Sequence, residues 1–179
     1  MLFRSDGPIR LLMFGRMRAY KGLDLLRDAF ATLPPGFTLR VVGDGPIETL
    51  APGLSALPGV TIEPRWVTEA DIPALIAAHD AVVLPYREAS QSGIIPNAQA
   101  LGVPVVATPA GGLPGQIGHD QDGLLAAAMD APALAAVLAR LAEPGTLPRL
   151  AAGARARGAG LADWSAQATA LMDAIRRLP

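Results

Sequence analysis

Cysteine is absent from the 179 residues. That excludes disulfides, thiolate catalysis and cysteine-based zinc sites. Lysine is nearly absent too: of the 15 basic residues 14 are arginine, and Lys21 stands alone. The net charge is −1, so nothing builds the broad positive field that nucleic-acid binding needs. Charged residues make up only 17% and hydrophobic residues 51%. That is too little charge for a disordered chain, and enough apolar surface for one core of ordinary domain size. No apolar run reaches the roughly 18–20 residues of a membrane-spanning helix. The first residues lack the charged-then-apolar profile of a signal peptide. The composition is compatible with the cytosol, and peripheral contact with the inner membrane stays open. The two histidines, His79 and His119, have no partners at metal-ligand or triad spacing.

What is present is an alternation. Largely apolar runs at 9–15, 37–43, 60–63, 81–86, 103–107 and 123–125 read as strands, 60–63 the weakest and 103–107 the most β-branched. Between them lie segments with helical spacing. Leu23, Leu26, Ala29, Phe30 and Leu33 mark a helix over 22–33, and a short one is expected near 47–51. Thr68 is expected to cap a helix running to Ala78, with Asp71 three residues on. Further helices are expected at 93–101, 113–117, 131–142, 147–156 and 164–178. Strands alternating with helices predict an α/β fold: a single doubly wound, Rossmann-like domain with a parallel sheet of about six strands and helices on both faces. Such sheets bind ligands beyond the carboxyl ends of their strands. The glycine turns at Gly15, Gly43, Ser92-Gly93 and Gly111-Gly112 all fall there.

Four segments carry candidate chemistry. Gly15-Arg16 through Lys21 joins a strand end, three cations of which Arg16 and Lys21 are the candidates, and a helix start, which suits a diphosphate. The alternative is a solvated loop with decorative cations. Gly43-Asp44-Gly45-Pro46 reads first as a tight turn, and second as a place where backbone approaches a ligand. In the segment from Tyr86 to Asn97, Glu88 could accept sugar hydroxyls. Ser92, Gly93 and Ile94 could offer amides to phosphate, and Asn97 could reach a ribose. The fourth is the Gly111-Gly112 turn, which either presents amides or simply turns. Asp120-Gln121-Asp122 has the form of a metal-binding Asp-x-Asp but lies in a turn beside Gly123, so no metal is assigned to it.

Five words occur in order: FGRMRAYKGLDLL, LRVVGDGP, ADIPALIAAHDAVVLPY, SGIIPNAQALGVPVVAT and GGLPGQI followed by DGLL. Together they resemble the C-terminal domain of the group 1 (family 4) retaining glycosyltransferases, which have the GT-B fold. Asp163-Trp164-Ser165 is similar to the opening of that family's terminal helix. The resemblance implies that Arg16 and Lys21 bind the donor diphosphate and stabilise charge on the leaving nucleotide without a metal. It implies further that Ser92, Gly93 and Ile94 give amides to the phosphates, with Gly15 and Gly43 lining the nucleotide. Arg65, Trp66 and Val67 would lie near the base, and Glu88 would contact the transferred sugar. No cofactor is implied; the donor is a nucleotide diphosphate sugar, with a UDP-sugar favoured.

Two departures stand out. Glu88 and Asn97 are separated by eight residues where the family pairs two glutamates across seven, so strict spacing lands on Ala89. Gly115 stands where a Gly-Gly-x-Pro-Glu motif normally ends in glutamate. By this resemblance the whole chain, 1–179, is the nucleotide-sugar-binding half. The acceptor-binding N-terminal domain is absent from it, and the chain alone is expected to bind donor but transfer little. A non-catalytic nucleotide-sugar-binding module is the alternative; a nucleotide-sugar epimerase is disfavoured, since it would need acid–base groups that are scarce here.

Overall fold

The computed structural model describes residues 7–162 and 165–177. Six strands form one fully parallel sheet: β1 Ile9–Phe14, β2 Phe37–Val42, β3 Val60–Glu63, β4 Ala81–Leu84, β5 Val105–Ala107 and β6 Gly123–Leu125. Their order across the sheet is β3-β2-β1-β4-β5-β6. The winding reverses between β1 and β4, which opens a crevice at their carboxyl ends. β1 pairs with β2 in register along its length, from Ile9 opposite Phe37 to Phe14 opposite Val42. The expected doubly wound α/β domain is therefore what the chain forms.

Alternation along the strands sends neighbouring side chains to opposite faces. Leu11 and Met13 join Leu39, Val41 and Val83 in one core, closed by α1 (Leu23–Phe30), α2 (Ile47–Leu50) and α6 (Ala131–Ala139). Leu12 and Phe14 point the other way. They meet Val82, Leu84 and Val105 under α3 (Ile72–Ala77), α4 (Ile94–Ala100) and α5 (Leu113–Gln116). The strands read as continuous apolar runs because both faces are covered. Among the described residues no helix is long and apolar enough to cross a membrane.

Two expectations need correction. Thr68 does not cap a helix. Its amide donates to the Asp71 carboxylate at 3.2 Å, and the Asp71 amide returns to the Thr68 carbonyl at 3.0 Å. This closes a turn of its own, and α3 begins only at Ile72, with Pro73 in its first turn, where a missing N–H costs nothing. The helix expected to end at Ala156 runs instead as α7 from Thr146 to Ala162, through Gly153, Gly158 and Gly160. Helix-interior glycine costs about 1 kcal/mol against alanine. Here it permits close packing: a Cβ on Gly158 would lie 2.5 Å from the Gln99 carbonyl oxygen of α4. The last helix is α8, Ser165–Arg176; Asp163 and Trp164 lie outside the described residues.

Candidate functional site

The carboxyl ends of β1, β2 and β4 are tied together by backbone. Gly15 donates to the Val42 carbonyl at 3.0 Å, and Met17 to Asp44 at 2.7 Å. Gly43 makes this possible, since any Cβ there would overlap the Gly15 carbonyl oxygen. The space left by Gly43 is thus occupied by the neighbouring loop. On the other side Arg87 donates to the Tyr20 carbonyl at 2.7 Å. Gly22 sits at a left-handed φ of 65°, and a Cβ on it would overlap the Pro85 carbonyl oxygen. Only glycine meets both conditions.

These contacts fix a short helical turn, Ala19–Lys21, which folds Lys21 back over the strand end. Its ammonium lies 3.4 Å from the Phe14 carbonyl oxygen and 5.2 Å from the centre of the Tyr86 ring. The residue is only 7% exposed. Among the described residues no carboxylate pairs with it. Burial alone lowers its pKa to about 8. A buried cation with a carbonyl and an aromatic face, but no counter-ion among the described residues, is an uncompensated charge.

The ammonium faces an open pocket of about 490 Å³, lined among others by Tyr20, Tyr86, Glu88, Ser92 and Gly93. Burial pushes the Tyr86 hydroxyl pKa up, Tyr20 adding to the effect and a hydrogen bond with the Ser92 side chain opposing it. Glu88 is exposed at the pocket wall. Ala89, where strict motif spacing lands, is pinned: Gly112 donates to its carbonyl at 2.9 Å, and Cβ atoms on Gly111 or Gly112 would overlap the carbonyls of Ala89 and Ser90. The Gly-Gly turn therefore braces this loop.

The expected phosphate amides are not equivalent. The Ser92 amide donates to Gln116 Oε1 at 2.8 Å, and the Ile94 amide to Ser92 Oγ at 3.3 Å. Asn97 is exposed and donates from Nδ2 to the Gly93 carbonyl at 2.9 Å. Gln116 was not singled out from the sequence; nothing in its spacing marks it.

Arg16 does not share the pocket wall with Lys21. It lies over Trp66, 5.2 Å from the ring centre, and Trp66 is 58% exposed. Arg65 pairs with Glu63 at 3.4 Å and Asp71 at 3.2 Å, while Val67 packs against the second core. Of that triplet, Trp66 alone presents a free face. The turn aspartates serve different partners: Asp120 pairs with Arg140 at 2.6 Å, and buried Asp122 with Arg157 at 3.3 Å. His79 Nδ1 meets the Leu75 carbonyl at 2.7 Å, and His119 Nδ1 accepts from Leu125 at 3.0 Å.

Comparisons with known proteins bear on this geometry. The family model described as glycosyl transferases group 1 matches residues 8–144. A D-inositol 3-phosphate glycosyltransferase of Xylanimonas cellulosilytica is 34% identical over 177 residues, covering 94% of this chain and 42% of the relative. Sucrose-phosphate synthase from Thermosynechococcus elongatus superposes with a TM-score of 0.79 at 28% identity, over 98% of this chain and 46% of that one. Anabaena HepE, solved in complex with UDP-glucose, superposes with a TM-score of 0.77 at 25% identity, over 96% of this chain and 49% of that one. The chain thus spans less than half the length of each of these three relatives.

Proposed function

The chain belongs to the group 1 glycosyl transferases, and from that premise we propose that it is the donor-binding domain of a hexosyltransferase using a nucleoside diphosphate sugar. The observation that carries the reading is Lys21, a buried cation without a counter-ion among the described residues, opening on a pocket at the switch point of the sheet. A diphosphate supplies the missing charge. As the glycosidic bond to the diphosphate breaks, negative charge grows on the leaving oxygens. A fixed, desolvated ammonium then stabilises the transition state more than the ground state. Arg16 can swing from Trp66 to the diphosphate and add a planar fork. These two cations supply the charge a metal would otherwise provide, which supports a metal-independent reaction.

Glu88 accepts hydroxyl hydrogen bonds from the sugar at the pocket wall, and Asn97 approaches the ribose as a neutral partner. Retention of configuration rests on the resemblance of the five motif words. UDP is the favoured nucleotide, in keeping with the UDP-glucose complex of the structural relative. The acceptor is bound by a second, N-terminal domain of the full-length protein, so the chain alone binds donor without appreciable transfer. The reaction belongs in the cytoplasm, with peripheral contact to the inner membrane where the acceptor is a lipid.

Calorimetric titration with UDP, GDP and ADP tests the reading. One of them binds, and both Arg16→Ala and Lys21→Ala weaken it. Binding of none, or binding indifferent to Lys21→Ala, overturns it. Rapid transfer by this chain alone would overturn the two-domain part.

A further inference from the structure

The last residue of α5 reaches the pocket loop through its side chain. Gln116 Oε1 accepts from the Ser92 amide at 2.8 Å, and Gln116 Nε2 donates to the Ser92 carbonyl at 3.1 Å. A side-chain amide thus grips both main-chain groups of one residue, as a neighbouring strand would. The grip has a fixed base. Gln99 on α4, 1% exposed, donates from Nε2 to the Gln116 carbonyl at 2.9 Å and lies 3.4 Å from Asp122 Oδ1. Asp122 Oδ1 also accepts from the Gly118 amide at 3.1 Å, and Asp122 Oδ2 pairs with Arg157 of α7. Arg157 in turn donates to the Gly115 carbonyl at 3.3 Å. The segment 115–118 is held from both α4 and α7, so Gln116 cannot drift.

A backbone N–H has one proton to donate. The Ser92 amide is committed to Gln116, and the Ile94 amide leans on Ser92 Oγ. Among the described residues the Gly93 amide has no internal acceptor, and Gly93 lines the pocket with Lys21. We propose that Gln116 is a positioning residue: by clamping Ser92 it makes the Gly93 amide the backbone donor offered to a nucleoside diphosphate beside the Lys21 ammonium. This rests on the donor-site reading above. It assigns the phosphate contact to Gly93 in place of Ser92, and gives the segment after the Gly-Gly turn a role in recognition as well as in bracing.

The test uses the nucleoside diphosphate that calorimetry shows to bind, among UDP, GDP and ADP. Amide spectra of the isotopically labelled chain are recorded across the titration. The Gly93 proton signal should move downfield as it bonds phosphate, while the Ser92 signal stays and exchanges slowly with solvent. In Gln116→Met, similar in length but without the paired hydrogen bonds, affinity should fall about tenfold, the Gly93 shift should shrink, and Ser92 should exchange fast. Ser92 is buried and loses both partners, so the thermal midpoint without nucleotide should fall as well, and affinities are compared at a temperature where both proteins are folded. Movement of Ser92 in place of Gly93, or unchanged affinity in folded Gln116→Met, overturns the clamp and leaves the donor site standing. If no nucleotide binds, both fall. The wild-type spectra decide the Gly93 assignment even should the variant not fold.

Discussion

Raising the pH from about 7.5 to about 9.5 should weaken nucleoside diphosphate binding about twentyfold, because the buried Lys21 loses its proton in that window. Burial holds Lys21 at about 8, against an ordinary lysine near ~10.4. At about pH 7.5 roughly three quarters of free molecules carry the cation, and at about pH 9.5 roughly one in thirty. A diphosphate on the ammonium returns its pKa toward the ordinary value, so binding takes up a proton and is penalised as pH rises. Free-chain stability runs the other way. The unfolded lysine holds its proton more tightly than the folded one. Stability therefore increases as pH rises from about 8 toward 10.5, by up to about 3 kcal/mol. Lys21→Met makes both halves visible. At about pH 7.5 it should raise the thermal midpoint of the free chain, lower diphosphate affinity at least about tenfold, and flatten the pH slope of binding. The assay is calorimetry across the pH series, with thermal unfolding of both proteins. Lys21 is the only lysine and cysteine is absent, so few side chains compete in that range. Affinity that stays flat with pH, or a slope that survives in Lys21→Met, would refute the reasoning.

Three further outcomes follow from the geometry. Gly22→Ala forces a Cβ into the Pro85 carbonyl at a left-handed φ; it should cost about 1–3 kcal/mol in denaturant unfolding and cost nucleotide affinity as well, and an unchanged midpoint would show that the β1 and β4 loops are not locked. In a Trp164→Phe background Trp66 is the sole remaining tryptophan, so nucleotide should shift its emission as Arg16 leaves the ring, and Arg16→Ala should abolish that shift; binding seen by calorimetry with no change in emission would mean Arg16 stays parked. Gly158→Val should destabilise by about 1–3 kcal/mol, because α7 must move off the Gln99 carbonyl; a neutral result would mean the glycine is not needed for the contact.

The sequence alone determined the architecture and the neighbourhood of the site. Runs such as Leu11-Leu12-Met13-Phe14 and Ala81-Val82-Val83-Leu84 are short, bounded by turn residues and apolar on both faces, as parallel strands covered on both sides are. Glycines at their carboxyl ends mark where a ligand could approach, which is why Gly15, Lys21, Ser92 and Gly93 were legible as candidates. Local signals failed where a residue's meaning lay far away in the chain. The helix over 147–156 reads as ending short of Gly158 until α4 is found pressed against that glycine. Thr68 and Asp71 have capping chemistry, yet the turn they close stands ahead of the helix.

Tertiary structure alone decided the division of labour inside the site. It set Arg16 on Trp66 and Lys21 against Tyr86, although one short loop carries both cations. It put Glu88 on the pocket wall and Ala89 under the Gly-Gly turn. It brought Gln116 to Ser92 across 24 residues. Spacing rules describe one element at a time, whereas desolvation and hydrogen-bond partnership depend on which elements the sheet order brings together.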